Sequence, residues 1–191
     1  MADLAHPFRL RAPGDGAGPA GPLDLLLQGS AFGGGGHSTT RRCLELLAGL
    51  APLDGLTVLD LGSGSGILAL AALRLGAARA TCVDVNPEAV AAGRANGEAN
   101  GLADRLEHRL GSTEAVGGLA FDLVLANLGG ELLLDLAGPV AALARPGGRL
   151  LLSGLEAAWA DELLAAYRRH GCGLLTRREA DAFCTILVQR A

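Results

Sequence analysis

Lysine is missing from the 191 residues: all 16 basic side chains are arginine. Its absence excludes lysine Schiff-base chemistry and the phosphate-gripping lysine of P-loop proteins together. Aromatic residues are scarce as well, at four Phe, one Trp and one Tyr, which leaves Ala, Leu and Val to build the core. The four cysteines, Cys43, Cys82, Cys172 and Cys184, lie far apart and form no C-x-x-C pair, so neither a zinc site nor a disulfide framework is signalled and buried free thiols are expected. His6, His108 and His170 have no partners at metal-ligand spacing, and no metal is expected. The longest apolar runs are broken too early to span a bilayer. No basic segment followed by an apolar one opens the chain over residues 1–21, so no secretory signal is read and a cytoplasmic location is expected. With a formal charge of −4 and its arginines scattered or paired, the chain has no general electrostatic reason to bind nucleic acid.

What is present is an apolar chain, 50% hydrophobic and 19% charged, of a length that suits one domain. Glycine occupies 29 positions without any collagen period, a mark of many tight turns. Residues 1–22 mix four prolines with glycines and read as a flexible leader; residues 23–191 read as a single domain. A short apolar stretch, Leu23 to Leu27, precedes the glycine run Gly33 to Gly36, after which Ser38 or Thr39 can cap a helix through about Ala48.

From Thr57 onward, short apolar runs alternate with longer Ala/Leu segments, the pattern of strands separated by helices around a parallel sheet. Strands are predicted at Thr57–Leu61, Ala80–Val85, Leu106–Leu110, Phe121–Ala126 and Arg149–Ser153. Helices are predicted at Ile67–Leu75, Pro87–Asn100, Glu131–Leu143 and Glu156–His170. Two closing strands, Gly173–Arg178 and Phe183–Gln189, are joined so tightly that they are expected to pair as an antiparallel edge hairpin. The predicted fold class is α/β: a Rossmann-like doubly wound sheet of seven strands, mostly parallel, with an antiparallel edge hairpin.

The chemistry-bearing motif is Asp60-Leu61-Gly62-Ser63-Gly64-Ser65-Gly66 between the first strand of this alternation and its helix. Its glycines let the backbone turn sharply and approach a ligand without Cβ obstruction. The dinucleotide fingerprint G-x-G-x-x-G fails, because it needs glycine where Ile67 stands. A carboxylate at Asp60 would repel a pyrophosphate yet suits a ligand carrying a cationic amino group or sulfonium, which points to S-adenosylmethionine rather than NAD. The next strand ends in Asp84-Val85-Asn86-Pro87. There the Asp84 carboxylate can accept hydrogen bonds from two ribose hydroxyls, with Val85 against the adenine; its other reading is a cap for the following helix.

The Asp60–Gly66 loop, Asp84 and the later FDLVLAN segment, Phe121 to Asn127, resemble class I S-adenosylmethionine-dependent methyltransferases. The segments AFGGGGHSTTRRCLELL, VLDLGSGSGILALAALRLGA, FDLVLANLGGELLLDLAGPV and RPGGRLLLSGLEAAWADELLAAYRRHG together resemble the catalytic domain of the ribosomal protein L11 methyltransferases (PrmA) over about Ala31 to Arg190. The resemblance implies that Gly62, Ser63, Gly64 and Gly66 surround the amino-acid half of the cofactor, that Asp84 holds the ribose, and that Asn127 meets the methyl-accepting nitrogen. It places Thr39, Thr40 and His37 over the cofactor, with His37 either an acceptor that assists catalysis or a lid residue.

Two positions depart from the family. Leu110-Gly111-Ser112 stands where an acidic residue would meet the adenine amino group, so that contact comes from Ser112 or is lost. The acceptor loop reads Asn-Leu-Gly-Gly where relatives carry a bulkier apolar residue and Ala, which implies a wider pocket or a more mobile loop. The family also has an amino-terminal domain that grips the ribosomal protein, which a leader of 22 residues would not replace.

Three functions follow. The first is methylation of lysine or α-amino groups of a protein, the second methylation of a small molecule or peptide, and the third cofactor binding without turnover. The paired arginines Arg41-Arg42, Arg168-Arg169 and Arg177-Arg178 read as a solvated surface or a substrate face. Trp159 and Tyr167 read as core packing, or as an aromatic wall for a substrate. The sequence leaves the oligomeric state open.

Overall fold

A computed structural model describes residues 7–12, 21–28 and 36–191. Two short strands, β1 (Arg9–Arg11) and β2 (Asp24–Leu26), pair in parallel. Helix α1 (Ser38–Gly49) leads into the alternation β3 (Thr57–Leu61), α2 (Ile67–Arg74), β4 (Arg79–Asp84), α3 (Pro87–Ala99), β5 (Leu106–Leu110), β6 (Phe121–Asn127), α4 (Gly130–Asp135), α5 (Ala137–Leu143), β7 (Ala144–Glu156), α6 (Ala160–Arg169), β8 (Cys172–Ala180) and β9 (Phe183–Arg190).

The main sheet has seven strands in the order β5-β4-β3-β6-β7-β9-β8. Neighbours from β5 to β7 are parallel, and β9 runs antiparallel to both β7 and β8. This is the doubly wound architecture with an antiparallel edge hairpin that the sequence pattern predicts. Successive residues of the central strands face opposite layers: Leu59 and Leu61 pack with α4–α6, while Val58 packs with α1 and α2. Val124 and Leu125, Leu150 and Leu151, and Ile186 and Leu187 divide in the same way, so these strands are apolar at nearly every position, as sheets covered on both faces must be. All four cysteines are buried free thiols.

The expectations and the structure differ in four places. Within the segment read as a flexible leader, residues 9–11 form β1 and Phe8 is buried against Leu25, Leu44 and Leu47. Asp24, also buried, accepts from Arg9 Nε at 2.8 Å and Arg11 Nη1 at 3.3 Å, fixing β1 to β2. A three-residue strand beside prolines gives no periodicity to read; residues 1–6 and 13–20 of the leader lie outside the described residues. The single helix expected over 131–143 is two, α4 and α5, meeting at Leu136. Pro139 explains the break, since it has no N–H for the Asp135 carbonyl and its ring would collide with that carbonyl in a continuous helix. Strand β7 runs from Ala144 to Glu156, well beyond the expected five residues. As a result the last helix starts at Ala160, after a single 3₁₀ turn, rather than at Glu156. Finally, the cap of α1 is His37, not Ser38 or Thr39.

Candidate functional site

The strand order reverses between β3 and β6, whose carboxyl ends open one crevice with that of β4. Open α/β sheets bind ligands at such a switch point. Two cavities meet there. The larger, about 810 Å³, is lined by Gly62, Gly64, Asp84, Val85, Gly111 and Ser112 among others. The smaller, about 340 Å³, is lined by His37, Thr39, Thr40, Asp60, Ser63 and Ser65 among others. Asn127, Leu128 and Gly129 border both. Of the catalytic and cofactor-binding residues expected from the sequence, all but Gly66 therefore line this crevice.

Gly66 acts one layer below. Gly62, Gly64 and Gly66 have φ of 68°, 52° and 75°, values that cost a residue with a Cβ about 1–2 kcal/mol each. The turn closes through the Gly62 and Ser63 N–H groups, which donate to the Val83 carbonyl, and the Gly66 N–H, which donates to the Ser63 carbonyl. Gly66 then serves as N-cap of α2. A Cβ on Gly62 would stand 2.2 Å from Leu128 Cδ2, so Leu128 covers the loop, a role its sequence context did not reveal.

Asp84 is half-buried at the tip of β4. Its Oδ2 accepts from the Gly64 N–H at 2.8 Å and its Oδ1 from the Asn86 N–H at 2.9 Å. Each oxygen keeps lone-pair capacity toward the cavity. The alternative reading of Asp84 as helix cap is not met, because Asn86 caps α3, its side chain accepting from the Glu88 N–H at 2.9 Å with Pro87 in the first turn. Val85 beside it is 72% exposed and lines the larger cavity as an apolar surface. Gly111 and Ser112 line the same cavity. The nearest carboxylate after β5, Glu114, folds back to accept from the Ser112 N–H at 2.7 Å, which lowers its pKa.

Asp60 is placed differently from a surface partner for a cation. It is buried to 1% exposure, and its Oδ2 accepts from the Ala69 N–H in the first turn of α2 at 3.1 Å. Loss of hydration pushes its pKa up to about 7 against the opposing Ala69 bond, with the charge of Asp84 adding to the rise.

Asn127 ends β6 between the two cavities. Its Nδ2 donates to Thr40 Oγ1 at 3.4 Å, and its buried Oδ1 has no hydrogen-bond partner among the described residues. An unsatisfied buried acceptor costs roughly 1–3 kcal/mol, and a ligand donor would recover that cost. Two neighbours hold the amide: the Leu128 N–H donates to the Ser153 carbonyl at 2.8 Å, and Gly154, at φ 86°, lies where a Cβ would meet Asn127 Oδ1 at 3.0 Å.

His37 presents Nδ1 to its own helix, accepting from the Thr39 N–H at 3.3 Å, with Thr39 Oγ1 at 2.8 Å. Its ring stands edge-on to Phe183 with centroids 5.4 Å apart. With Nδ1 accepting from a backbone N–H, a neutral His37 carries its proton on Nε2. Trp159 touches the acceptor loop, since a Cβ on Gly130 would lie 3.3 Å from its Cγ, whereas Tyr167 is core. The expected surface arginines are tied up in part: Arg42 donates to the Ala180 carbonyl, and Arg177 bonds Asp161 and Glu179.

Comparison with known proteins agrees with this geometry. The family described as ribosomal protein L11 methyltransferase (PrmA) matches residues 24–191. The chain is 48% identical over 144 residues to the ribosomal protein L11 methyltransferase of Edwardsiella ictaluri (strain 93-146), covering 75% of this chain and 48% of that protein. It is 48% identical over 153 residues to the protein of that name from Chromohalobacter salexigens, covering 79% and 50% respectively. The chain thus spans about half the length of the curated relatives it matches. A crystal structure of a ribosomal protein L11 methylase from Lactobacillus delbrueckii subsp. bulgaricus superposes with a TM-score of 0.87 at 27% identity, covering 98% of this chain and 97% of that one. With its glycine loop, its strand-tip Asp84 and its Asn127 all carried on the matched residues, the chain belongs to the ribosomal protein L11 methyltransferase (PrmA) family.

Proposed function

We propose that this protein is an S-adenosylmethionine-dependent N-methyltransferase acting on amino groups, lysine or α-amine, of a protein. The observation that carries the reading is the buried, unpartnered Oδ1 of Asn127, an acceptor held where the two cavities join.

The residues present fit the cofactor. Gly62, Ser63 and Gly64 line the cavities where its amino-acid half would lie, with no Cβ at Gly64 to obstruct it, and Gly66 sets their turn. Asp84 has lone pairs for ribose hydroxyls, Val85 and Ser112 offer a surface for adenine, and Thr39 and Thr40 close the smaller cavity. S-adenosylmethionine supplies an electrophilic methyl group when bound. The chain's own contribution is orientation. Asn127 Oδ1 accepts an N–H from the incoming neutral amine, which aims the nitrogen lone pair in line with the methyl. Thr40 keeps the amide from turning, and Leu128 excludes water above Gly62. The amine loses its proton to solvent or to a nearby acceptor. His37 acts by fixing the start of α1, and with it Thr39 and Thr40.

Ribosomal protein L11 is the first acceptor to test, because the relatives are named for it. A small-molecule or peptide acceptor is the second reading, favoured by the open space beside Gly129, where a Cβ would meet nothing within 4 Å. The test is transfer of labelled methyl from S-adenosylmethionine into purified ribosomal protein L11 and into a lysate from cells lacking this protein, with Asp84→Ala as control. Label in a protein band supports the proposal; label confined to small molecules supports the second reading; cofactor binding without transfer would leave a binding protein.

A further inference from the structure

Helix α3 and its C-cap residue carry two asparagines one turn apart, Asn96 and Asn100, that bind backbone outside the helix. Asn100 closes a two-point pair with Leu26: its Oδ1 accepts from the Leu26 N–H at 3.0 Å and its Nδ2 donates to the Leu26 carbonyl at 2.7 Å. Asn96, wholly buried, divides its amide. Its Oδ1 accepts from the Gln28 N–H at 2.6 Å, while its Nδ2 donates to the Ser65 carbonyl at 2.9 Å. The spacing has a simple origin. Side chains four apart on a helix are about 5–6 Å from one another, close to the two-residue repeat of about 6.6–6.8 Å that separates same-side N–H groups on an extended chain. Two amides on one helix face can therefore act as a strand edge for residues 26–28.

The two asparagines differ in what lies at the other end. Asn100 stops at β2. Asn96 continues into the glycine loop, because Ser65 sits between Gly64 and Gly66 and lines the smaller cavity, while Gln28 lines the larger one. Gln28 also starts the stretch of chain that leads to His37, Thr39 and Thr40. We propose that Asn96 is a positioning residue that couples the segment 26–28 to the cofactor loop, so that filling the crevice tightens Gln28 and freeing Gln28 loosens the cofactor. The inference rests on the reading that this crevice takes the adenosyl cofactor. Coupling between binding events is reciprocal, and so it can be read from either end without turnover.

The experiment uses S-adenosylhomocysteine as probe, with calorimetric titration and amide hydrogen exchange over residues 26–28. In the wild-type protein, exchange of the Gln28 amide slows on saturation with the probe. Asn96→Ala weakens probe binding by roughly 5- to 150-fold, the usual size of a coupling between sites, and makes Gln28 exchange the same with and without probe. Asn100→Ala speeds exchange at Leu26 but leaves probe affinity at the wild-type value, which separates coupling from general loosening. Equal loss of affinity in both variants, or wild-type affinity in Asn96→Ala, overturns the proposal. So does a Gln28 amide indifferent to saturating probe in the wild type, a measurement that decides the matter even where Asn96→Ala does not fold. A wild-type protein that binds no probe overturns the cofactor reading itself, and the coupling with it.

Discussion

Gly154 lies against the backbone of Leu128: a Cβ built on it would stand 2.5 Å from the Leu128 carbonyl oxygen and 3.0 Å from Asn127 Oδ1. Strand β7 thereby supports the acceptor loop by close approach, and its left-handed φ of 86° makes glycine the residue that allows it. Gly154→Ala is expected to lower stability by at least the about 1–2 kcal/mol of a left-handed alanine, and to lower turnover by displacing the Asn127 amide. Gly129→Ala is the matched control. Gly129 has φ −59° and open space where a Cβ would go, so its stability should stay within about 0.5 kcal/mol. Thermal unfolding of both variants checks this, and equal midpoints would remove the supporting role.

Asp60 gives the unliganded protein a pH dependence of defined sign. Burial raises its carboxyl from the ordinary 3.8 to about 7, so over that range the folded protein holds a proton that the unfolded chain has released. The contribution of Asp60 to stability therefore falls as pH rises from about 4 through 7. Asp60→Asn should flatten that part of the profile, as measured by denaturant unfolding across the range. A cationic amino group brought into the smaller cavity would favour the ionised form, so cofactor affinity should rise with pH through the same window; a flat affinity profile would place the cation elsewhere.

Much of this organisation is legible in the sequence. β3 begins and ends where the run Thr57–Leu61 does, since a strand covered on both faces is apolar at most positions and bounded by turn residues; β5, the mixed run Leu106–Leu110 at the sheet edge, also keeps its expected bounds. The glycine loop and Asp84 carry their chemistry in a single local motif, and the crevice gathers them as the strand order requires. Other features arise only in three dimensions. Nothing local distinguishes Asn96 from an exposed helical asparagine, because its partners Gln28 and Ser65 come from distant parts of the chain. The same holds for Leu128 over Gly62 and for the orphaned Oδ1 of Asn127. Pro139 did carry a readable signal, and it breaks the helix where its missing N–H predicts.

His108 is a second source of pH dependence, with the opposite sign. Its ring lies where a Cβ on Gly93 would meet it at 2.6 Å, and both ring nitrogens are buried without partners among the described residues. Desolvation, reinforced by the charge of Arg94, lowers its pKa below the ordinary 6.5. The unfolded chain therefore binds the proton first, and the stability that His108 leaves intact above pH 6.5 declines as pH drops below it. His108→Leu removes two unsatisfied buried groups and should unfold at an equal or higher temperature, with the gain widest in acid. A lower midpoint at every pH would contradict this.

The central claim is that Asn127 orients the accepting nitrogen. Single-turnover methyl transfer by Asn127→Ala, run beside calorimetric binding of S-adenosylhomocysteine, tests it most directly. Loss of the oriented acceptor should slow transfer on the order of 100-fold, the usual consequence of a misplaced reacting group, while probe affinity changes far less. Unchanged transfer in Asn127→Ala would contradict the account.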